Sequence, residues 1–106
     1  NLMGINHSIQ LLHYKSSEKG HYDWHMDTGS GSNCTRKISI SIPLTDRNSY
    51  EGGDLEINDV VGTIKAIDEQ GSISFFPSFL SHRVSPVTKG ERWVMVIWVN
   101  GSDRFK

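Results

Sequence analysis

The sequence predicts a mainly β domain of the sandwich or jelly-roll class, with little helix. Three observations carry that expectation. Apolar and polar residues alternate with a period of two, most clearly in Ile38-Ser39-Ile40-Ser41-Ile42, the pattern of a half-buried strand. Glycines and prolines punctuate the apolar runs at short intervals, as turns between strands require. Helical signal is almost absent, and short strands at such spacing belong to sandwiches and jelly rolls.

The elements follow in order. Ile9 to Lys15 is the first strand candidate, and Gly20 separates it from a second, Tyr22 to Asp27. A polar Gly/Ser-rich loop, Thr28 to Thr35, leads into Ile38 to Ile42, which Pro43 closes. Gly52-Gly53 precedes Asp54 to Ile57, and Gly62 precedes Thr63 to Ile67. The glycine pair reads as architectural, because glycine tolerates positive φ in a tight turn. Ser72 to Phe76 lies between Gly71 and Pro77, His82 to Val84 stops before Pro86, and Trp93 to Val99 follows Gly90.

A chain of 106 residues suffices for one core, so residues 1–106 are expected to form a single domain. The formal net charge of −1, with both signs intermixed, argues against a nucleic-acid partner. Cys34 is the sole cysteine, which excludes an internal disulfide and a cysteine metal site and fits a reducing cytoplasm. No apolar run reaches the roughly 20 residues of a membrane span, and no signal-peptide pattern opens the chain. Because the sequence starts at Asn1 and enters apolar residues at once, an excised catalytic domain without N-terminal helices is expected.

His25-Met26-Asp27 is the central motif. In a strand, residues i and i+2 point to one face, so an imidazole and a carboxylate enter the same interior. His82, after the apolar Phe75-Phe76-Pro77 segment, suits a third ligand. Two histidines and one carboxylate leave metal positions open, the arrangement that non-haem iron(II) uses to admit a co-substrate and dioxygen. His7, His13 and His21 read as surface or loop residues. An isolated H-x-D is weak alone, but Arg92 follows His82 by ten positions, within His82-Arg83-Val84-Ser85-Pro86-Val87-Thr88-Lys89-Gly90-Glu91-Arg92.

The combined pattern, Tyr14…Gly20-x-Tyr22-x-x-His25-x-Asp27, then Gly52-Gly53-Asp54-Leu55, then His82-x-Val84-x-Pro86-Val87-x-x-Gly90-x-Arg92, closely resembles the prolyl 4-hydroxylase-like 2-oxoglutarate oxygenases over nearly the whole chain. Arginine at position 92 resembles the bacterial and phage branch. The resemblance implies a double-stranded β-helix (jelly roll, cupin-like) and an iron(II)/2-oxoglutarate-dependent dioxygenase. Its metal would be held by His25, Asp27 and His82. Co-substrates would be 2-oxoglutarate and dioxygen, with ascorbate a candidate further cofactor. Arg92 is by resemblance the anchor of the distal carboxylate, which a planar guanidinium meets bidentately. Tyr14 matches a second 2-oxoglutarate contact if Ser16 to Lys19 holds a short insertion. Leu55 stands where threonine is frequent, so packing would replace a hydrogen bond there.

In the last strand Arg92, Val94, Val96 and Trp98 share one face, which brings Trp98 to the cavity. By resemblance Tyr22, Arg36 and Trp98 match positions that contact a peptide, which implies a peptidyl-proline substrate. Each has a plainer alternative, as core aromatics or as an arginine paired with an acidic neighbour. Asn100 stands where animal and plant enzymes often carry histidine. The opposite face, Met95, Ile97 and Val99, needs a cover from a missing N-terminal segment or a partner chain. Two other readings stay open: the same chemistry on a non-prolyl substrate, and a non-catalytic cupin-like metal-binding module. Nucleic-acid demethylation is disfavoured, because the second arginine of those oxygenases falls at Trp98.

Overall fold

The computed structural model describes residues 6–27 and 36–101, which form ten strands and two 3₁₀ turns, Ser16–Glu18 and Arg47–Ser49. The strands are β1 (Asn6–Lys15), β2 (Tyr22–His25), β3 (Arg36–Pro43), β4 (Glu51–Gly52), β5 (Leu55–Asp59), β6 (Gly62–Lys65), β7 (Ser74–Pro77), β8 (His82–Val84), β9 (Val87–Lys89) and β10 (Glu91–Asn100). Cys34 and the Thr28 to Thr35 loop lie outside the described residues.

All pairings are antiparallel. One four-stranded sheet has the order β1-β10-β3-β7, a second has β2-β8-β5-β6, and β4 and β9 make a small pair. The core joins the two large sheets: Tyr14, Val94 and Phe76 of the first cluster with Leu55 and Val84 of the second and with Val87. This is the jelly roll that the strand spacing predicts. Among the described residues no helix is long and apolar enough to cross a membrane.

Every expected strand exists, His82 to Val84 with the expected bounds and the others with shifted ends. The second stops at His25, so Asp27 sits just beyond it, its N–H donating to the Ser78 carbonyl at 3.0 Å. The seventh begins at Ser74, because Ser72 is tied into a turn through its N–H to the Glu69 carbonyl. The strands β4 and β9, two and three residues long, escape detection by periodicity because neither spans a full alternation.

The face assignment of β3 is the informative result. Ser39 and Ser41 are buried, while Ile38, Ile40 and Ile42 are only partly so. The serines share the interior row with Trp98 and Val96 of β10, and the isoleucines share the opposite one with Val99, Ile97 and Met95. That outer row continues across the sheet, Ile9 opposite Ile97 opposite Ile40 opposite Phe75. Ile9, Leu11 and Phe75 are 60 %, 56 % and 74 % exposed. A sheet with its small polar residues inside and its aliphatics outside encloses a polar site.

Candidate metal centre and co-substrate pocket

The two histidines meet through strand pairing, since His25 of β2 and His82 of β8 are direct cross-strand partners. Each is aimed by the same device: Nδ1 lies 2.7 Å from the Asp23 carbonyl in His25 and 3.0 Å from the Leu80 carbonyl in His82. A carbonyl can only accept, so Nδ1 donates and Nε2 is left as the free ligand atom. Backbone-held imidazoles of this kind are how proteins orient metal ligands. Nε2 of His25 is 3.4 Å and Nε2 of His82 3.2 Å from Asp27 Oδ1. Among the described residues these three form a group whose ligand atoms all lie within 4.8 Å of one another.

Aromatic rings wall the group. Tyr22 stacks on His25 at 3.9 Å, and Phe76 meets His82 edge-on at 4.8 Å. Asp27 is 6 % exposed and accepts on Oδ2 from Ser39 Oγ at 2.5 Å and from the Trp98 indole N–H at 2.8 Å. Burial alone would push this carboxyl up. The hydrogen bonds from His25, His82, Ser39 and Trp98 outweigh it and hold the group well below the ordinary carboxylate range. It is therefore a carboxylate at neutral pH, ready to bind a cation.

For His25, burial works to lower the pKa, but the Asp27 carboxylate and the Asp23 carbonyl raise it overall. An imidazole must be neutral to ligate, so metal uptake should expel this proton. Affinity is expected to fall with falling pH, the loss setting in above the ordinary histidine value of about 6.5. Without metal the sign reverses, because protonated His25 stabilises the fold at low pH and that contribution fades as pH rises through the raised value. Cobalt(II) titrations by calorimetry, in buffers of different ionisation heat, would count the proton released. Affinity independent of pH between mildly acidic and neutral conditions would contradict this.

The triad opens into a cavity of about 270 Å³ lined by Tyr14, Tyr22, Met26, Arg36, Ser41, Leu55, Val84, Arg92, Val94, Val96 and Trp98, among others. Among the lining residues Arg92 is 3 % exposed, with Nε and Nη1 buried and unpartnered and its guanidinium carbon 5.4 Å from the centre of the Tyr14 ring. A desolvated cation with orphaned donors costs several kcal/mol unless an anion completes it. Gly53 keeps its place open: at φ +65° it lacks the Cβ that would come within 2.9 Å of Arg92 Cδ. Tyr14, whose hydroxyl pKa burial pushes up, remains a neutral phenol. The chemistry of the donors fits both implied groups, a divalent metal on the triad and a dicarboxylate reaching Arg92.

The residues expected from the sequence all come to this one cavity. Tyr14 lines it from the end of β1, ahead of the 3₁₀ turn Ser16–Glu18. Leu55 is buried beside it. Tyr22 is half-exposed at the mouth. Arg36 lies over the Trp98 ring at 3.9 Å and donates to the Asp27 backbone carbonyl at 3.4 Å. Trp98 does more than wall the cavity, because its N–H grips Asp27. His13 stacks on Trp93 and bonds Glu91, and His21 bonds the Lys19 carbonyl, so neither joins the triad. Ser39, Ser78 and Phe76 were not foreseen. For Ser39 and Phe76 the sole signal is inward parity on strands, which sequence gives only once the interior face is known, and Ser78, in the turn after β7, carries none.

The sequence matches the 2OG-Fe(II) oxygenase superfamily over residues 9–100. It is 40 % identical over 90 residues to a PKHD-type hydroxylase of Synechococcus sp. (strain CC9311), covering 85 % of this chain and 41 % of that protein. To a PKHD-type hydroxylase of Aliarcobacter butzleri it is 35 % identical, over 92 % of this chain and 46 % of that one. The chain thus spans less than half the length of these curated relatives. Among solved structures, a prolyl-4-hydroxylase of Pseudomonas putida superposes with a TM-score of 0.77 at 20 % identity, covering 91 % of this chain and 53 % of that one. A prolyl 4-hydroxylase of Phytophthora capsici gives 0.76 at 22 %, over 91 % and 32 %. At such identity these two likenesses concern the fold.

Proposed function

Since the chain belongs to the 2OG-Fe(II) oxygenase superfamily, we propose that residues 1–106 are a single catalytic domain of its prolyl 4-hydroxylase-like branch, one that hydroxylates peptidyl proline. His25, Asp27 and His82 would hold iron(II), and Arg92, with Tyr14 and Leu55, would hold 2-oxoglutarate. The buried, unpartnered Arg92 guanidinium carries this reading, because a cupin-like module that only binds metal has no use for a desolvated cation in its cavity. Bound iron(II) and 2-oxoglutarate supply the oxidising chemistry, in which one oxygen of O₂ enters the substrate C–H bond and the other leaves in succinate as carbon dioxide is released.

The chain's own residues do the rest. Arg92 fixes the distal carboxylate, and the apolar walls Leu55, Val84 and Val94 exclude water around the body of the co-substrate. Tyr22, Arg36 and Trp98 line the cavity, where flat aromatic faces and a cation offer a proline ring and its peptide carbonyls something to pack on and bond to. Peptide recognition is further supported by the relatives' name as hydroxylases and by the fold likeness to a Trichoplax adhaerens prolyl hydroxylase solved with a peptide fragment. A cytoplasmic setting belongs to the same reading, on the strength of the sole cysteine. Ascorbate is a further cofactor to supply in the assay.

The test is anaerobic loading with iron(II) and 2-oxoglutarate, exposure to air with proline-containing peptides, and mass spectrometry for one added oxygen. Succinate with hydroxylated peptide is the expected result. Succinate without a modified peptide would remove the prolyl substrate, and no succinate under any condition would remove the oxygenase activity.

A further inference from the structure

We infer that Ser39, Ser78 and Trp98 form a positioning lock on Asp27, which commits its carboxylate to meet the metal through Oδ1 alone. The inference rests on the iron-binding reading above. Oδ1 faces the Nε2 atoms of both histidines, at 3.4 and 3.2 Å. Oδ2 is turned to the opposite partners, Ser39 Oγ at 2.5 Å and Trp98 Nε1 at 2.8 Å. A carboxylate oxygen offers about two lone-pair directions, so two donors saturate Oδ2 and none is left for a cation.

The donors are themselves fixed. Ser39 has one hydroxyl proton and gives it to Asp27, so in its 3.0 Å contact with Ser78 Oγ it is Ser78 that donates. The two serines are 1 % and 0 % exposed. The backbone of Ser78 works on the same target, its carbonyl accepting from the Asp27 N–H at 3.0 Å while its own N–H donates to the Lys37 carbonyl at 3.0 Å. One residue between β7 and β8 therefore ties the ligand's main chain to β3 and completes the hydroxyl relay to its side chain. The indole is clamped from above by Arg36, 3.9 Å over the ring.

A carboxylate free to rotate about its Cβ–Cγ bond can grip a metal with both oxygens and so occupy a position that a chelating co-substrate needs. The lock removes that freedom before any metal arrives. It also explains why β3 turns Ser39 rather than an isoleucine toward Asp27.

Cobalt(II) serves as the probe, with its affinity read by calorimetry and its coordination by the visible d–d bands, in the parent protein, Ser39→Ala, Ser39→Thr and Trp98→Phe. Ser39→Ala and Trp98→Phe are each expected to weaken cobalt binding about 10- to 100-fold and to alter the band shape. Ser39→Thr, which keeps the hydroxyl, should restore both. A purely structural serine would change the melting temperature of the metal-free protein and leave the spectrum alone. If Ser39→Ala does not fold, Trp98→Phe decides, because it keeps an aromatic ring and deletes the N–H. Parental affinity and spectrum in the variants that fold would overturn the lock while leaving the metal site standing. Failure of the parent itself to bind cobalt would overturn the iron reading, and the lock with it.

Discussion

Arg92→Met is expected to raise the melting temperature of the ligand-free protein while abolishing tight binding of 2-oxoglutarate. The two effects share one cause. The guanidinium is 3 % exposed with Nε and Nη1 unpartnered, so the ligand-free fold carries a desolvated charge that nothing neutralises at those atoms. Even a buried ion pair can be exchanged for apolar side chains of similar volume with no loss or with a gain of about 1–4 kcal/mol, and for a charge without an ion-pair partner a gain of about 1 kcal/mol or more, several degrees in a domain of this size, is expected. With the co-substrate present the sign inverts. A bidentate arginine–carboxylate contact in a dry pocket is worth about 3 kcal/mol, so affinity should fall on the order of 100-fold. Thermal melts with and without 2-oxoglutarate read both effects at once: the ligand should stabilise the parent by mass action and leave the variant unmoved. Cobalt(II) affinity should stay at the parental level. A lower melting temperature of the ligand-free variant would show that the guanidinium serves the fold, and equal loss of metal and co-substrate would point to misfolding.

Asp27→Ala should cost metal affinity on the order of a thousandfold, about 4 kcal/mol, because it deletes the one anionic ligand and leaves two imidazoles that cannot hold a divalent ion tightly alone. It also strands the Trp98 N–H and the Ser39 hydroxyl in a dry interior. Unlike Arg92→Met it should therefore destabilise the metal-free protein, by about 1–3 kcal/mol. A second readout separates ligand loss from damage. With the carboxylate gone, the Asp23 carbonyl alone is left to oppose the lowering effect of burial on the His25 pKa, so the ring should titrate at lower pH in an NMR titration. An unchanged His25 titration would mean that Asp27 and His25 are not the pair the geometry describes.

Much of the fold was legible because it rests on local chemistry. Alternation of period two follows from the pleat, and glycines and prolines mark turns for steric reasons, so the β class and eight of the strands could be read directly. His25, Asp27, His82 and Arg92 were legible for another reason. Their side chains do chemistry that few other residue types can, and the i, i+2 spacing of His25 and Asp27 is that of two residues on one strand face. Where the pattern misled, the missing information was non-local. The Ile38 to Ile42 alternation announces two unlike faces but cannot tell which one is inside. The ordinary expectation of aliphatics inward fails because this interior holds a charged site.

The sequence by itself determined the strand content, the inward row Arg92, Val94, Val96 and Trp98, and the set of ligands able to converge. Tertiary structure decided that β8 lies beside β2, which makes His25 and His82 cross-strand partners. It decided that the chain leaves β2 at His25, with Asp27 held by the Ser78 carbonyl. It also decided that the Trp98 indole reaches the metal-binding carboxylate rather than only the cavity wall. These outcomes depend on register between segments far apart in sequence. A register is set by how whole faces pack, a sum over many weak contacts that no single residue type encodes.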